Sequence, residues 1–116
     1  MKILVVEDDL LIRIVAVEAL RDAGYEVVEA EDGSEALEQL RNAPDVLFTD
    51  IRLPGTLTGW DIAERCRENN PRMPVIYATG YSPVSRRPVP GSRFFQKPYT
   101  LEQLVAAIRD LTGEVR

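Results

Sequence analysis

The chain has 116 residues, of which 45% are apolar and 28% are charged, and a formal net charge of −5 with no histidine and one cysteine. This length and composition predict one folded domain, spanning residues 1–116, in a cytoplasmic protein without a membrane-spanning segment. The acidic balance argues against nucleic acid as a partner, the single cysteine excludes an internal disulfide, and the lack of histidine excludes Ser/His and Cys/His catalytic pairs and the usual zinc sites.

The first third of the chain alternates between strand and helix patterns. Residues Lys2–Val6 are a nearly continuous β-branched run, typical of a strand buried on both faces, and Glu7 ends it. Apolar residues at helical spacing predict a helix over about Leu10–Ala23, which Gly24 stops, and Tyr25–Glu29 is the second predicted strand. The expected core face of this helix consists of Ile12, Val15, Ala16, Ala19, Leu20 and Ala23.

Caps and helix breakers mark the next elements. Asp32 and Glu35 have the spacing of a capping pair, and Pro54 and Gly55 lie in a segment with too many breakers for regular structure. The elements predicted in this stretch are the helices Ser34–Arg41 and Gly59–Asn69 and the strands Asp45–Thr49 and Pro74–Ala78.

A proline-rich stretch interrupts the alternation. Tyr81–Ser92 contains three prolines, which predicts that the fourth helix is short, irregular or absent. Arg93–Gln96 is the fifth predicted strand, and Thr100 and Gln103 form a capping box for a final helix. Five alternations predict an α/β fold with a doubly wound, five-stranded parallel sheet of order 2-1-3-4-5.

Several polar residues fall where a predicted strand ends. Because the carboxyl ends of parallel strands meet at one edge of the sheet, we expect them to form an acidic pocket with one hydroxyl and one ammonium group. Gathered carboxylates need a cation, and hard oxygen ligands suit Mg²⁺ or Mn²⁺. The set therefore predicts a site for a divalent cation and a phosphoryl group, although each residue alone could be a helix cap or a solvated loop end. These residues are Glu7, Asp8, Asp50, Thr79 and Lys97.

Four segments, ILVVEDD, TDIRLPG, ATG and QKPY, resemble in order and spacing the response-regulator receiver domain of two-component signalling. The resemblance covers the whole chain and implies a flavodoxin-like fold. It also implies a Mg²⁺-dependent phosphoryl transfer from a histidine kinase or a histidine phosphotransfer protein, which switches protein–protein interactions.

The resemblance implies a role for each matching residue. Asp50 resembles the phosphoacceptor, and Glu7 and Asp8 resemble the pair that holds the metal with it. Thr79 corresponds to the switch hydroxyl, Lys97 to the lysine that meets the phosphoryl group, and the Lys97–Pro98 bond to a cis peptide. The two remaining implied roles are a metal-binding backbone carbonyl at Arg52 and a switch aromatic at Phe94.

Other functions remain open. A phosphorylation-independent interaction module and a phosphate sink in a phosphorelay are the alternatives to a phosphorylation switch. A phosphohydrolase for foreign substrates is disfavoured because no second carboxylate follows Asp50 at the acid/base position, so the chain is expected to catalyse only its own phosphorylation and dephosphorylation. Met1 and the lack of linker residues favour a stand-alone protein over a piece of a longer regulator.

Two features depart from the common receiver pattern. Tyr77–Ser82 (YATGYS) resembles the signature of the FATGUY subclass, which implies an altered fourth helix. In the first helix, Leu10, Ile14 and Val17 form a second apolar stripe opposite the expected core face. Since the family meets its phosphodonor through this helix, we hypothesise that the three residues dock the partner.

Overall fold

A parallel five-stranded sheet in the order β2-β1-β3-β4-β5 forms the centre of the computed structural model, which describes residues 1–80 and 86–113. The predicted α/β class and strand order are therefore confirmed. The strands are β1 (Lys2–Val6), β2 (Glu26–Ala30), β3 (Val46–Asp50), β4 (Val75–Thr79) and β5 (Arg93–Gln96).

Helices cover both faces of this sheet, and side-chain caps start each of them. Asp9 accepts a hydrogen bond from the backbone of Ile12, and Asp32 accepts one from Glu35, as predicted. The predicted capping box at Thr100 is present, and a second box lies at the start of α3. The helices are α1 (Leu10–Asp22), α2 (Gly33–Gln39), α3 (Gly59–Asn69) and α4 (Leu101–Thr112), with a 3₁₀ turn (Leu40–Asn42) after α2. Of the residues described, no helix combines the length and apolar character needed to cross a bilayer.

The connection from β4 to β5 is where the irregular helix was expected. Residues 86–92 contain no helix. The rest of the prediction falls on residues 81–85, which lie outside the described part of the chain. The described portion therefore agrees with the effect of the prolines on helix formation.

Two apolar layers enclose the sheet. Alternate residues of β1 divide between them: Ile3 and Val5 pack with α1 and α4, and Leu4 and Val6 pack with α2 and α3. Cys66 is fully buried in the second layer, and burial raises the pKa of its thiol to about 11. The thiol is therefore a packing group.

Helix α1 is rotated relative to its predicted orientation, so only part of the predicted core face is confirmed: Ala16 and Leu20 are buried in the core. Val17, expected in the exposed stripe, is 2% exposed and belongs to the core, whereas Ile12 and Val15, expected in the core, are 38% and 50% exposed. The helix carries apolar residues on nearly every side, so periodicity alone permits more than one orientation. In the observed orientation Ala16, Val17 and Leu20 pack in the core, and the guanidinium of Arg13 bonds to the Glu7 carbonyl (2.7 Å) just after β1.

A buried tyrosine hydroxyl holds the irregular connection against the sheet. The Tyr77 hydroxyl of β4 accepts a hydrogen bond of 3.1 Å from the backbone N–H of Val89, and Val89 is 8% exposed. Burial raises the pKa of the phenol, so it stays protonated near neutral pH.

Replacing this hydroxyl should loosen the connection. In Tyr77→Phe the N–H of Val89 loses its partner while staying buried, which costs about 1–3 kcal/mol of unfolding free energy. Urea denaturation should detect the loss, and the amide of Val89 should exchange faster with solvent. Tyr99→Phe, at a ring that packs on Phe48, is the control, and an equal loss in both proteins would contradict a specific anchor.

Candidate functional site

Strand β3 delivers Asp50 to the carboxyl edge of the sheet as its last residue. The side chain is 9% exposed, and its two oxygens have different partners. Oδ1 accepts a hydrogen bond from the backbone N–H of Ile51 (2.9 Å), and Oδ2 lies 3.2 Å from the ammonium of Lys97. The Ile51 bond orients the carboxylate, leaving Oδ2 as the oxygen that faces the cation.

The end of β1 brings two further carboxylates beside Asp50. Val6 pairs with Thr49, so Glu7 and Asp8 emerge next to the end of β3. One carboxylate oxygen from each of the three acidic residues lies within 4.8 Å of the others. The predicted convergence of the acidic residues is confirmed.

Lys97, the residue that follows β5, reaches this acidic group with its side chain. Its Nζ lies 2.6 Å from Glu7 Oε1, closer than its approach to Asp50. Its backbone N–H donates to the carbonyl of Thr79 (2.8 Å), and the Lys97–Pro98 peptide bond is cis. One ammonium group thus bridges two buried carboxylates.

Burial changes the protonation of the group. It raises the pKa of Glu7 to about 7, with the charge of Asp50 acting in the same direction and the hydrogen bond from Lys97 opposing both. For Lys97, burial by itself lowers the pKa, but the bond to Glu7 and the charges of both carboxylates outweigh it and raise the pKa. The pocket therefore favours bound positive charge.

The metal-free protein should lose stability as the pH rises toward neutral. The folded-state pKa of Glu7, about 7, exceeds its ordinary value of 4.5, so the stabilisation from its proton is complete below 4.5 and disappears through 7. Over that window Glu7→Gln should lose roughly 1–3 kcal/mol less unfolding free energy than the wild type. Urea denaturation with a chelator present measures this difference. Exposed Glu18→Gln is the control, and parallel curves for all three proteins would contradict the assignment.

The remaining predicted site residues lie around this group. Thr79 ends β4, is 1% exposed, and comes one residue after Ala78, the partner of Asp50 in the sheet. Phe94 is the second residue of β5, three positions before Lys97. It is half-buried, and its ring centroid lies 6.5 Å from that of Trp60. Arg52 is exposed two residues after Asp50, and metal binding by its carbonyl stays a prediction.

Two residues that were not among the predicted site residues, Arg13 and Gly59, contact the backbone of the site. Arg13 holds the carbonyl of Glu7, and its Nε also donates to Glu29 (3.2 Å). Gly59 starts α3 so close to β3 that a Cβ placed there would lie 2.3 Å from the carbonyl oxygen of Asp50. In the sequence Gly59 is only the first residue of a predicted helix and Arg13 lies inside another, and neither position indicates these contacts.

Comparison with known proteins decides the family. The model of the response regulator receiver domain matches residues 3–109. The chain belongs to this family. Receiver domains are signalling modules of two-component systems that take up phosphoryl groups and interact with histidine kinases or phosphotransfer proteins, as the resemblance implied.

The receiver domain is similar to proteins of different lengths. It is 37% identical to the response regulator MprA of Mycobacterium leprae over 96% of its own length, and it spans 50% of that protein. It is 33% identical to the response regulator receiver protein CpdR of Brucella abortus, with 95% of both chains covered. Among solved structures, a response regulator receiver protein from Sinorhizobium medicae superposes with a TM-score of 0.92 at 32% identity, covering 97% of this chain and 94% of that one.

Proposed function

We propose that this receiver domain accepts a phosphoryl group on Asp50 from a phosphohistidine of a histidine kinase or phosphotransfer protein, in a Mg²⁺-dependent reaction. The observation that carries the proposal is the gathering of the carboxylates of Glu7 and Asp8 beside that of Asp50, with Lys97 Nζ 3.2 Å from Asp50 Oδ2. An oriented nucleophile beside a fixed cation is the arrangement that phosphoryl transfer requires.

The donor set fits a hard divalent cation. Glu7, Asp8 and Asp50 offer only carboxylate oxygens, within 4.8 Å of one another, and Asp8 is exposed, which leaves access for water ligands. Mg²⁺ or Mn²⁺, when bound, supplies charge neutralisation for the oxygens of the incoming phosphoryl group. The backbone carbonyl of Arg52 is the proposed fourth protein ligand.

The protein groups divide the transfer step among themselves. The Ile51 N–H fixes Asp50 Oδ1, and Oδ2 attacks phosphorus as the P–N bond to the donor imidazole breaks and its electron pair stays on nitrogen. The Lys97 ammonium, facing Oδ2, is placed to stabilise the charge on the phosphoryl oxygens. Water later hydrolyses the acyl phosphate, so the protein turns over only its own modification.

Phosphorylation would alter a surface through β4 and β5. The carbonyl of Thr79 accepts from the N–H of Lys97, so the ends of these two strands are joined at the pocket. We propose that the Thr79 hydroxyl binds the phosphoryl group and that Phe94 then moves inward, changing the proteins that the domain binds.

Incubation with acetyl phosphate and Mg²⁺, followed by intact mass measurement, tests this function. We expect a gain of one phosphoryl group, located by fragmentation in the peptide that carries Asp50. The same mixture with a chelator should show no gain. A protein that stays at its original mass in Mg²⁺, while a known receiver treated alongside it gains mass, would contradict the proposal.

The phosphodonor is proposed to dock on the exposed apolar side of α1. Leu10 and Ile14 are exposed there, as hypothesised, but Val17 is buried and leaves the docking set. Other apolar residues of the same helix line an open groove of about 510 Å³ beside the Lys97–Pro98 bond. Its lining residues are Leu11, Ile12, Val15, Lys97, Pro98, Tyr99 and Leu101.

A charge placed in this groove should impair the protein donor selectively. Val15 is 50% exposed, so Val15→Lys should fold, yet it should slow transfer from a histidine phosphotransfer protein that phosphorylates the wild type by about tenfold. Its reaction with acetyl phosphate should be unchanged. Glu18→Gln makes the same change of one charge unit on the same helix and is the control. Equal slowing with both donors would rule out docking at Val15.

A further inference from the structure

A second cavity lies on the opposite side of the sheet from this groove. It has a volume of about 370 Å³ and lies between α3, β5 and the irregular segment 86–92. Trp60 and Phe94 form its aromatic wall, Val89 and Pro90 its apolar wall, and Arg86 its charged rim. This volume is at the lower end of the roughly 300–1,000 Å³ range of ligand sites, enough for one large side chain.

Packing fixes Trp60, the inner part of the aromatic wall. The ring centroid of Trp60 lies 4.6 Å from that of Tyr77, and Trp60 is only 5% exposed. Phe94 stacks on the same indole at an interplanar angle of 21°. Trp60 thus offers a rigid aromatic surface, which binds a flat or apolar side chain with little loss of conformational entropy, and Phe94 is the movable part of the wall.

Arg86 differs from the arginines near it in its charge environment. Arg87 forms ion pairs with Asp61 (3.0 Å) and Glu64 (2.6 Å), and Arg93 pairs with Asp110. Arg86 instead lies with Cζ 4.4 Å above the ring of Phe94, and no carboxylate of the described residues forms an ion pair with it. Its charge is exposed at the rim, beside an aromatic pocket.

The net charge of the chain restricts the kinds of ligand that this cavity can bind. With a net charge of −5, the protein repels an extended polyanion such as nucleic acid, whereas a short acidic segment needs only the local field of one or two arginines. A basic segment would be repelled by Arg86 itself. The complementary ligand is therefore a short peptide with one aromatic side chain between acidic residues.

We propose that this cavity binds an acidic peptide segment of a partner protein, with an aromatic side chain of the segment against Trp60 and Phe94 and a carboxylate on Arg86. The inference rests on the proposed function, because it names the partner class whose affinity phosphorylation changes. Inward movement of Phe94 enlarges the cavity, so the phosphorylated protein binds the segment more tightly.

The first two residues of α3 connect the cavity to the segment that carries Asp50. The N–H of Gly59 donates to the carbonyl of Ile51 (2.9 Å), directly after Asp50, and Trp60 is the next residue of the helix. A change at Asp50 therefore reaches the cavity wall through one backbone contact. By linkage, phosphorylation and peptide binding must strengthen each other by the same factor.

Titration of the ¹⁵N-labelled protein with the peptide acetyl-Glu-Asp-Phe-Asp-Glu-amide tests the site. We expect saturable shifts of the Trp60 indole signal and of amides in residues 86–94. Arg86→Gln should weaken binding about fivefold, and Arg65→Gln, at an exposed arginine paired with Glu68 elsewhere on α3, should not. Peptides with lysine in place of the acidic residues, or alanine in place of phenylalanine, should bind at least about fivefold more weakly.

Several results would overturn the proposal. Equal binding of the lysine peptide, or an unchanged affinity in Arg86→Gln, would contradict the role of charge. Peptide-induced shifts confined to other surfaces would contradict the location. Shifts that depend on protein concentration without peptide would assign the cavity to a second copy of the chain. Equal affinity of the phosphorylated and unphosphorylated proteins would overturn it too. Mass gain on Asp50 without peptide binding overturns this inference alone, whereas peptide binding without mass gain overturns the proposed function.

Discussion

The Asp50→Asn protein should gain no phosphoryl group from acetyl phosphate and Mg²⁺ under conditions in which the wild type is modified. An amide has no anionic oxygen, so the proposed attack by Oδ2 is lost, and the proposed metal site keeps only two of the three carboxylates that lie within 4.8 Å of one another. Intact mass measures the result directly. The expected effect is complete loss.

The fold should survive this substitution. Asp50 and Glu7 are both buried carboxylates that share the ammonium of Lys97, and the charge of Asp50 helps to raise the pKa of Glu7. Removing one charge relieves this repulsion, while the amide oxygen can still accept from the Ile51 N–H (2.9 Å in the wild type). Without metal, the variant should therefore unfold at a urea concentration no lower than the wild type does.

The same substitution at an exposed aspartate is the control for the chemical role of Asp50. Asp22 is exposed at the end of α1, and Asp22→Asn removes the same charge far from the pocket, so it should gain mass as the wild type does. Uptake by a folded Asp50→Asn protein would show that a different residue accepts the phosphoryl group and would refute the role given to Asp50.

The site was predictable because its residues are fixed by strand ends. Five short apolar runs define the strands, and parallel pairing then places residues such as Glu7, Asp50 and Lys97 at one edge whatever the loops do. Small shifts did occur: Asp50 and Thr79 are the last residues of their strands, one position later than predicted. A shift of one residue at a boundary does not move a side chain to another edge of the sheet.

The orientation of α1 and the supporting contacts were not predictable in the same way. A helix with apolar residues on several sides has no unique inner face in its sequence, and its orientation depends on tertiary contacts such as the bond from Arg13 to the Glu7 carbonyl. The cavity beside Trp60 likewise depends on Val89 binding the Tyr77 hydroxyl, a contact between residues 12 positions apart. The prolines predicted that residues 86–92 would not be helical, but they did not predict the pocket beside them.

Substitution of Gly59 by alanine should have the largest effect on stability. A Cβ at this position would lie 2.3 Å from the Asp50 carbonyl oxygen, 2.9 Å from the Ile51 Cα and 3.1 Å from the Asp50 carbonyl carbon. All three are backbone atoms of Asp50, the last residue of β3, or of Ile51, the residue after it, so no side-chain rotation can relieve the contact, and strand and helix must separate. We expect Gly59→Ala to lose about 2–4 kcal/mol of unfolding free energy and, because β3 shifts, much of its phosphoryl uptake.

Helix propensity alone predicts that the same substitution increases the unfolding free energy, so the experiment distinguishes the two effects. Alanine is favoured over glycine in a helix by about 1 kcal/mol, so an unhindered first residue of α3 would be stabilised. Gly80→Ala is the control, because a Cβ there meets no described atom within 4 Å. Urea denaturation should place Gly59→Ala well below both the control and the wild type. A Gly59→Ala protein as stable as the wild type would mean that α3 does not lie against the Asp50 backbone, and the contact that joins the phosphoacceptor to the Trp60 cavity would be lost with it.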